Sequence, residues 1–523
     1  MANTAPPATQ KELFGHPVGL YILFFTEMWE RFSYYGMRAI LVLYLVSATT
    51  NGNAGLGWTQ AEALALYGWY TMLVYVVSIP GGILADKVFG QKKAVLIGGI
   101  ILVLGHGILA VEEMWAFYTG LALIIAGVGL LKPNISTMVG GLYKEGDIRR
   151  DKGFTIFYIG INVGAFLSSL IVGYVGENIG WHYGFGLAGI AMALGLLVYL
   201  WGQKYLKDVG NLLSKVERDE GASLGSLFSD LFQSPTQLVI SIILLGVSIW
   251  GWLSLGFGYG LLFIFLTLVV AMMMMVYKDL TTQVMKDRYV VMLLSFILVI
   301  VFWGAFEQAG GLMNIYALEN TNRSIPFNLP LIGNEVPASW FQSLNALFII
   351  IFGVIVANYW AKRKLKSKEA SSIFKMATGV IIMGLGFVFM VFAALQFESN
   401  GSSAMYWLVL AYLFHTIGEL CSSPVALSFI TKLAPVKYAS LMMGVYFAAT
   451  GLGNKVAGEL GAFASEAGDI AIFSGITIFT VVFASIVLLM LKPLKRLTHG
   501  AEDNERKLKE QEEYELADSE GKA

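Results

Sequence analysis

The run Phe25-Thr26-Glu27-Met28-Trp29-Glu30-Arg31-Phe32-Ser33-Tyr34-Tyr35-Gly36-Met37-Arg38 sets four charged side chains inside a stretch, near 18 to 48, that is otherwise apolar enough to cross a bilayer. A charge at the bilayer centre costs ~2.5–3.5 kcal/mol on an insertion scale, so such a run is tolerated where the charges face protein or water. At about 100° per residue, Glu27, Glu30, Arg31, Tyr34 and Arg38 share one helix face roughly 100° wide, while Met28, Trp29 and Phe32 point elsewhere. The stretch reads as a helix whose polar face looks into a helical assembly.

The rest of the chain supports that reading. Its 523 residues are 56% hydrophobic and only 14% charged, against about 25% charged in a soluble domain. Mean hydropathy is +0.67. A net charge of −1 gives no basic footprint for nucleic acid. The single cysteine, Cys421, can form neither an intrachain disulfide nor a thiolate metal site. Residues 1–17 are polar and carry Pro6 and Pro7 without the pattern of a cleaved leader, so the first apolar stretch is expected to stay as an anchor.

Stretches of the roughly 20 apolar residues that a ~30 Å hydrocarbon core requires recur along the chain. They lie near 18–48, 61–82, 94–112, 116–140, 153–177, 185–203, 237–254, 258–277, 290–313, 338–359, 373–395, 406–431, 439–461 and 470–492. The expected fold is an all-α polytopic membrane protein with fourteen transmembrane helices. It divides into an N-terminal cytoplasmic segment (1–17), a six-helix bundle (18–205), a linker with an inserted two-helix hairpin (206–289), a second six-helix bundle (290–495) and a cytoplasmic tail (496–523).

Lys and Arg gather in alternate loops: Lys87, Lys92 and Lys93; Lys144, Arg149, Arg150 and Lys152; Lys362, Arg363, Lys364, Lys366 and Lys368; Lys492, Lys495 and Arg496. The opposite loops hold Glu112, Glu113, Glu319, Glu335, Glu466 and Asp469, with Arg323 as the exception. The positive-inside bias then makes both termini cytoplasmic. The segment from Gly82 through Asp86, Lys87 and Gly90 to Lys93 resembles the loop signature between helices 2 and 3 of the major facilitator group, whose site lies at the midplane between two bundles. Asp86 and Lys87 are candidates for a gate; the competing reading is a plain topology loop.

Three more charges lie within apolar spans: Lys132 before Pro133, Glu307 before Gln308, and Glu419 four residues before Ser423. The N-terminal half contributes Glu27, Glu30, Arg31, Arg38 and Lys132, a net positive set, and the C-terminal half only carboxylates. A cavity between them would be bipolar and would suit a zwitterion, its carboxylate on Arg31, Arg38 or Lys132 and its ammonium on Glu419 or Glu307. The seven charges leave one excess carboxylate, which in a low dielectric takes up a proton. The alternative is that Glu27, Glu30, Arg31 and Lys132 only lock helices 1 and 4 together.

These runs resemble the signatures of the proton-dependent oligopeptide transporter family (POT/PTR, within the major facilitator superfamily), in its bacterial form. Glu27-x-x-Glu30-Arg31-Phe32-x-Tyr34-Tyr35 is similar to the first-helix motif, Phe154-Thr-Ile-Phe157-Tyr158 through Asn162 to Gly164 to the fifth, and Gly418-Glu419-Leu-Cys-Ser-Ser423-Pro424 to the tenth. The likeness spans about residues 17–495. It implies a major-facilitator fold and a proton-coupled symporter importing di- and tripeptides by alternating access through a bacterial inner membrane. It implies Glu27, Glu30 and Glu307 as proton-linked carboxylates. Arg31, Arg38 and Lys132 would hold the peptide carboxylate; Asn162, Asn345 and Glu419 its backbone or amino end; and Ser423 joins that binding set. Tyr34, Tyr75, Tyr158 and Trp303 would line side-chain pockets, and Arg38 would oppose Glu307 at a gate. Tyr446 stands where many relatives have Trp, and helix 2 lacks a histidine that some relatives use, His106 lying on helix 3 instead.

No cofactor beyond the proton, no metal and no obligate protein partner is expected; the other partner is membrane lipid. Gly127-x-Gly129-x-x-Lys132 and Gly451-x-Gly453-Asn454-Lys455 lack the strand a phosphate loop needs, and Gly160 and Gly164 read as packing positions. Met272 to Met275 read as apolar filler, and His415 as either a satisfied histidine or a relay. Rivals are a transporter of another small anion or drug and a peptide-sensing receptor. An enzyme is not expected, since neither a His-Glu-x-x-His nor a Gly-x-Ser-x-Gly motif occurs.

Overall fold

A computed structural model describes residues 11–50, 52–144, 147, 149–212, 235–330, 332–435 and 438–502. The expected polar stretch over residues 1–10 and the charged tail beyond residue 502 lie outside them. The helices, in chain order, are α1 (Val18–Val46), α2 (Gln60–Val76), α3 (Ser78–Leu84), α4 (Gln91–Leu109), α5 (Met114–Gly141), α6 (Arg149–Asn178) and α7 (Trp181–Leu206), then α8 (Pro235–Leu255), α9 (Phe257–Asp279), α10 (Gln283–Phe306) and α11 (Leu312–Glu319). They continue with α12 (Ser343–Leu365), α13 (Ser372–Asn400), α14 (Met405–Leu433), α15 (Ala439–Ala467), α16 (Asp469–Leu489) and the short α17 (Leu491–Leu497).

Among the described residues, eleven helical stretches are long and apolar enough to cross a membrane. Helices α1, α8 and α15 have 29, 21 and 29 residues, enough length for a span, and with them the number would reach the expected fourteen. Most spans run past the bounds the sequence reading gave them, and two do so with a change of helix type. The expected 61–82 runs on through a five-residue π turn, Ala85–Phe89, and stops at Gly90, whose φ of +77° favours glycine. The expected 290–313 occupies Gln283–Glu319 and is broken by a 3₁₀ turn at Glu307–Ala309. Short strands, which the hydropathy pattern did not signal, join the ends: Glu12–Leu13 pairs with His16–Pro17, Thr321–Asn322 runs parallel to Ser403–Ala404, and Ser324–Leu329 pairs with Gly333–Glu335.

Helix starts and stops follow local chemistry. Thr59 caps α2 in a capping box with Glu62, and Gly401, at φ +73°, ends α13 in the left-handed region. The described residues group into two compact units, those within 11–212, 298–425 and 447–488 forming one and those within 235–297, 426–446 and 489–502 the other. In the first, α4 packs along α5, and α1 lies against α6 and α7. Glycines set these approaches: a Cβ on Gly160 would lie 2.8 Å from the Phe24 ring, and one on Gly453 2.8 Å from the Trp303 Cβ. Gly127, Gly129, Gly451 and Gly453 all sit inside helices, as expected of packing residues rather than phosphate loops.

The second unit is described by itself. Helices α8 and α9 fold back on each other at Gly256, φ +97°. Within the methionine run, Met273 takes the Tyr289 hydroxyl on its backbone oxygen at 2.8 Å. Arg288 Nε donates to the Thr498 carbonyl at 3.0 Å.

Candidate functional site

The polar face expected on α1 exists and is buried. Arg31 Nε lies 2.7 Å from Glu27 Oε1 and 3.1 Å from Glu30 Oε2, all three side chains being 6% exposed or less. Both Glu30 carboxylate oxygens and Glu27 Oε2 are buried without a hydrogen bond among the described residues. One guanidinium thus serves two carboxylates and leaves Glu27 Oε2 and Glu30 Oε1 open to a proton or another donor.

Two turns further along α1, Arg38 Nη1 meets Glu307 Oε1 at 2.9 Å. The same oxygen accepts the Tyr67 hydroxyl from α2 at 2.6 Å. Glu307 opens the 3₁₀ turn that interrupts its span. A helix break is tolerated at membrane depth where protein or a cavity satisfies the freed backbone. Neighbouring Gln308 donates to the Ala457 carbonyl at 3.0 Å. Beside it, Gly68 of α2 and Gly458 of α15 touch: a Cβ on Gly68 would come 2.9 Å from the Gly458 Cα. The Arg38–Glu307 pair therefore ties the N-terminal spans to the C-terminal ones.

Lys132 is held differently. Its ammonium sits 3.7 Å from the Tyr75 ring centroid, a cation–π contact, and among the described residues it makes no ion pair. Pro133 follows it inside α5 and leaves the Gly129 carbonyl without its usual i+4 donor. In the C-terminal half, Glu419 Oε2 accepts Asn345 Nδ2 at 2.7 Å, and Asn345 also reaches Thr416 Oγ1 at 3.1 Å. Glu419 too has no cationic partner among the described residues. Arg31 and Arg38 are thus both committed to carboxylates, which leaves Lys132 and Glu419 as the charges free to meet a ligand.

A cavity of about 110 Å³ lies against Arg38 and Glu419. Of the expected binding residues, Arg38, Tyr158, Asn162, Asn345 and Glu419 line it. Asn162 Nδ2 is turned onto the Tyr158 carbonyl at 2.9 Å. Arg31, Lys132, Tyr34, Tyr75, Trp303 and Ser423 are not among its lining residues. Tyr34 is buried, its ring stacked on Tyr70 with centroids 6.5 Å apart. Trp303 packs edge-on against Phe306 at 5.3 Å. Ser423 is half-buried one turn beyond Glu419, next to Pro424 inside α14. Asp86 is exposed on the π turn and hydrogen-bonds Gln91 across Gly90; Lys87 is exposed beside it.

The cavity wall also holds residues outside the expected set: Tyr35, whose ring lies 5.1 Å from the Arg38 guanidinium carbon, Gln342 and Tyr412. Tyr35 belongs to the quoted first-helix motif and is the immediate neighbour of Tyr34. Tyr412 and Gln342 carry no motif. His415 is not a satisfied histidine among the described residues: both ring nitrogens are buried without a hydrogen bond there, and the ring lies 4.4 Å from that of Phe387. No group of three or more metal-ligating side chains gathers among the described residues.

Comparison with known proteins shows what the chain as a whole is similar to. A family model described as the POT family matches residues 92–472. The chain is 39% identical to the uncharacterized transporter YclF of Bacillus subtilis (strain 168), over 94% of this chain and 97% of that one. It is 35% identical to a di-/tripeptide transporter of Lactococcus lactis subsp. cremoris, over 94% and 98%. A crystal structure of a peptide transporter POT in complex with sulfate superposes with a TM-score of 0.79 at 35% identity, covering 94% of this chain and 97% of that one.

Proposed function

The chain belongs to the POT family, and from that premise we propose that it is a proton-coupled symporter that imports di- and tripeptides by alternating access. One observation carries the reading: two opposite charges, Glu419 in the cavity wall and Lys132 outside its lining, stand without ion-pair partners among the described residues, whereas Arg31 and Arg38 are paired with carboxylates. A zwitterionic peptide completes both. Its carboxylate is assigned to Lys132 and its ammonium to Glu419, which Asn345 holds in place. Tyr35, Tyr158, Asn162 and Tyr412 contact the body of the ligand.

Glu307, Glu27 and Glu30 carry the proton. A proton on Glu307 removes the charge that holds Arg38, loosening the junction between α1, α2 and the broken span. The open oxygens of Glu27 and Glu30 give a second place for it beside Arg31. The proton is the coupling ion, and the assignment includes no catalytic residue, metal or obligate protein partner. With Lys and Arg gathered in alternate loops, both termini face the cytoplasm and the chain spans a bacterial inner membrane.

The test is uptake of a labelled, hydrolysis-resistant dipeptide into proteoliposomes, with and without an inward proton gradient. Accumulation that follows the gradient and is competed by tripeptides but not by free amino acids is expected. Tight binding without accumulation would identify a receptor instead, and uptake competed only by an unrelated anion or drug would identify a different transporter. Glu30→Gln is expected to reduce uptake and flatten its pH dependence; unchanged behaviour would remove Glu30 from the coupling set.

A further inference from the structure

The span that begins with the 3₁₀ turn Ala338–Gln342 and runs on as α12 has no side-chain cap of its own. The first backbone N–H groups of such a segment lack intrahelical acceptors and need one from elsewhere. They receive it from the last turn of α6, in the other half of the chain. Glu177 Oε2 accepts Ala338 N at 2.8 Å, and Oε1 accepts Ser339 N at 2.8 Å and Ser339 Oγ at 2.5 Å. Its side chain is 9% exposed. Arg323 Nη1 lies 3.9 Å from Oε2, and Arg323 in turn holds Glu335 at 2.9 Å and the Val336 carbonyl at 2.7 Å.

The same seam continues below and behind. Trp340 Nε1 donates to the Leu170 carbonyl at 2.9 Å. Asn53 Nδ2 braces the end of α6 from the loop after α1, donating to the Gly176 and Glu177 carbonyls at 2.7 and 3.1 Å. By the Lys/Arg distribution, this seam is at the end of the molecule away from the cytoplasm.

We infer that Glu177 is the outer latch of the transport cycle: a carboxylate from one half caps a helix of the other only while the cavity is shut to the outside. Three hydrogen bonds to one carboxylate break together when α6 and the 338–342 turn part, so opening is all-or-none at this point. The inference rests on the alternating-access reading and adds to it a positioning residue that touches neither peptide nor the proton-linked carboxylates.

The test uses the full-length chain in vesicles with Cys421→Ser and one reporter, Ile161→Cys, which lines the cavity. A membrane-impermeant maleimide is applied from either side. Glutamine at 177 keeps the shape but must turn an N–H toward the backbone donors, so Glu177→Gln is expected to raise labelling from outside by about tenfold and to lower it from the cytoplasmic side. Ser339→Ala, which keeps the carboxylate and removes one bond, is expected to move both rates the same way by a smaller factor. If Glu177→Gln does not fold, Ser339→Ala carries the test alone. Rates unchanged within about twofold, or moving in the same direction on both sides, would overturn the latch. The natural chain, assayed in the same vesicles beside the reporter, showing no gradient-driven uptake would instead overturn the transport reading.

Discussion

Exchanging Glu307 for glutamine keeps the side-chain shape and removes the charge that Arg38 meets at 2.9 Å. At that separation and an effective dielectric of about 20, the attraction between the two unit charges is about 6 kcal/mol before desolvation is subtracted. Removing one member of a buried pair generally costs ~3–5 kcal/mol, because the other charge is left uncompensated. Taking the lower figure, the closed junction between α1 and the broken span weakens by about two powers of ten in population. Glutamine also mimics a carboxylate that never loses its proton. Glu307→Gln proteoliposomes are therefore expected to lose accumulation driven by a proton gradient, while exchange of labelled for unlabelled peptide at equal pH persists. Their uptake should be flat with pH where the natural protein's is not. Tyr67→Phe, which removes only the 2.6 Å hydrogen bond to the same oxygen, should give a smaller loss of the same kind. A Glu307→Gln protein that concentrates peptide with the natural pH dependence would refute the coupling role.

Three further outcomes follow from the geometry. Arg31→Ala leaves Glu27 and Glu30 buried without their cation, and a loss of ~3–5 kcal/mol of stability should appear as a large fall in the melting temperature of the detergent-solubilised protein. Glu419→Gln keeps the Asn345 contact but removes the charge assigned to the peptide ammonium; the apparent KM for a dipeptide should rise by about tenfold or more, and an N-acetylated peptide should lose its disadvantage. Hydrogen bonds from the Arg149 side chain and backbone hold the Asp147 carboxyl below its usual range, and Arg149 also grips Glu12 at 2.9 Å and the Gly15 carbonyl at 3.1 Å. Because the folded value is lowered, this contribution is present above about pH 4 and fades as the pH falls through the folded value. Arg149→Ala should free the 11–17 hairpin at neutral pH, seen as faster chymotryptic cleavage at the exposed Phe14, whereas the natural protein should resist chymotrypsin there and be cut at Phe14 by pepsin in acid.

The sequence alone determined the membrane-spanning, all-helical class, because a ~30 Å core demands about 20 apolar residues per crossing and little else satisfies the backbone there. It also determined the polar face of α1, since the helical period fixes which side chains share a side. The seven intramembrane charges were legible for the same reason: a charge in an apolar span stands out against its cost. Which charge meets which was decided by tertiary structure. Arg31 takes both Glu27 and Glu30, Arg38 takes Glu307 from the far half of the chain, and Lys132 takes an aromatic ring. Periodicity names a face but not the helix opposite it, so it selected Tyr34 where Tyr35 lines the cavity, and it gave no sign that Gln342 or Tyr412 would join. The break at Glu307 lies inside a continuous apolar run, visible only once the surrounding spans supply the backbone's partners. Glu177 was equally silent: a carboxylate near a helix end is ordinary in sequence, and it becomes a cap when docking brings it to the bare N–H groups of Ala338 and Ser339. Short-range chemistry and hydropathy are written locally along the chain, whereas pairing across the two halves depends on how close their glycines allow the helices to come, as at Gly68 and Gly458.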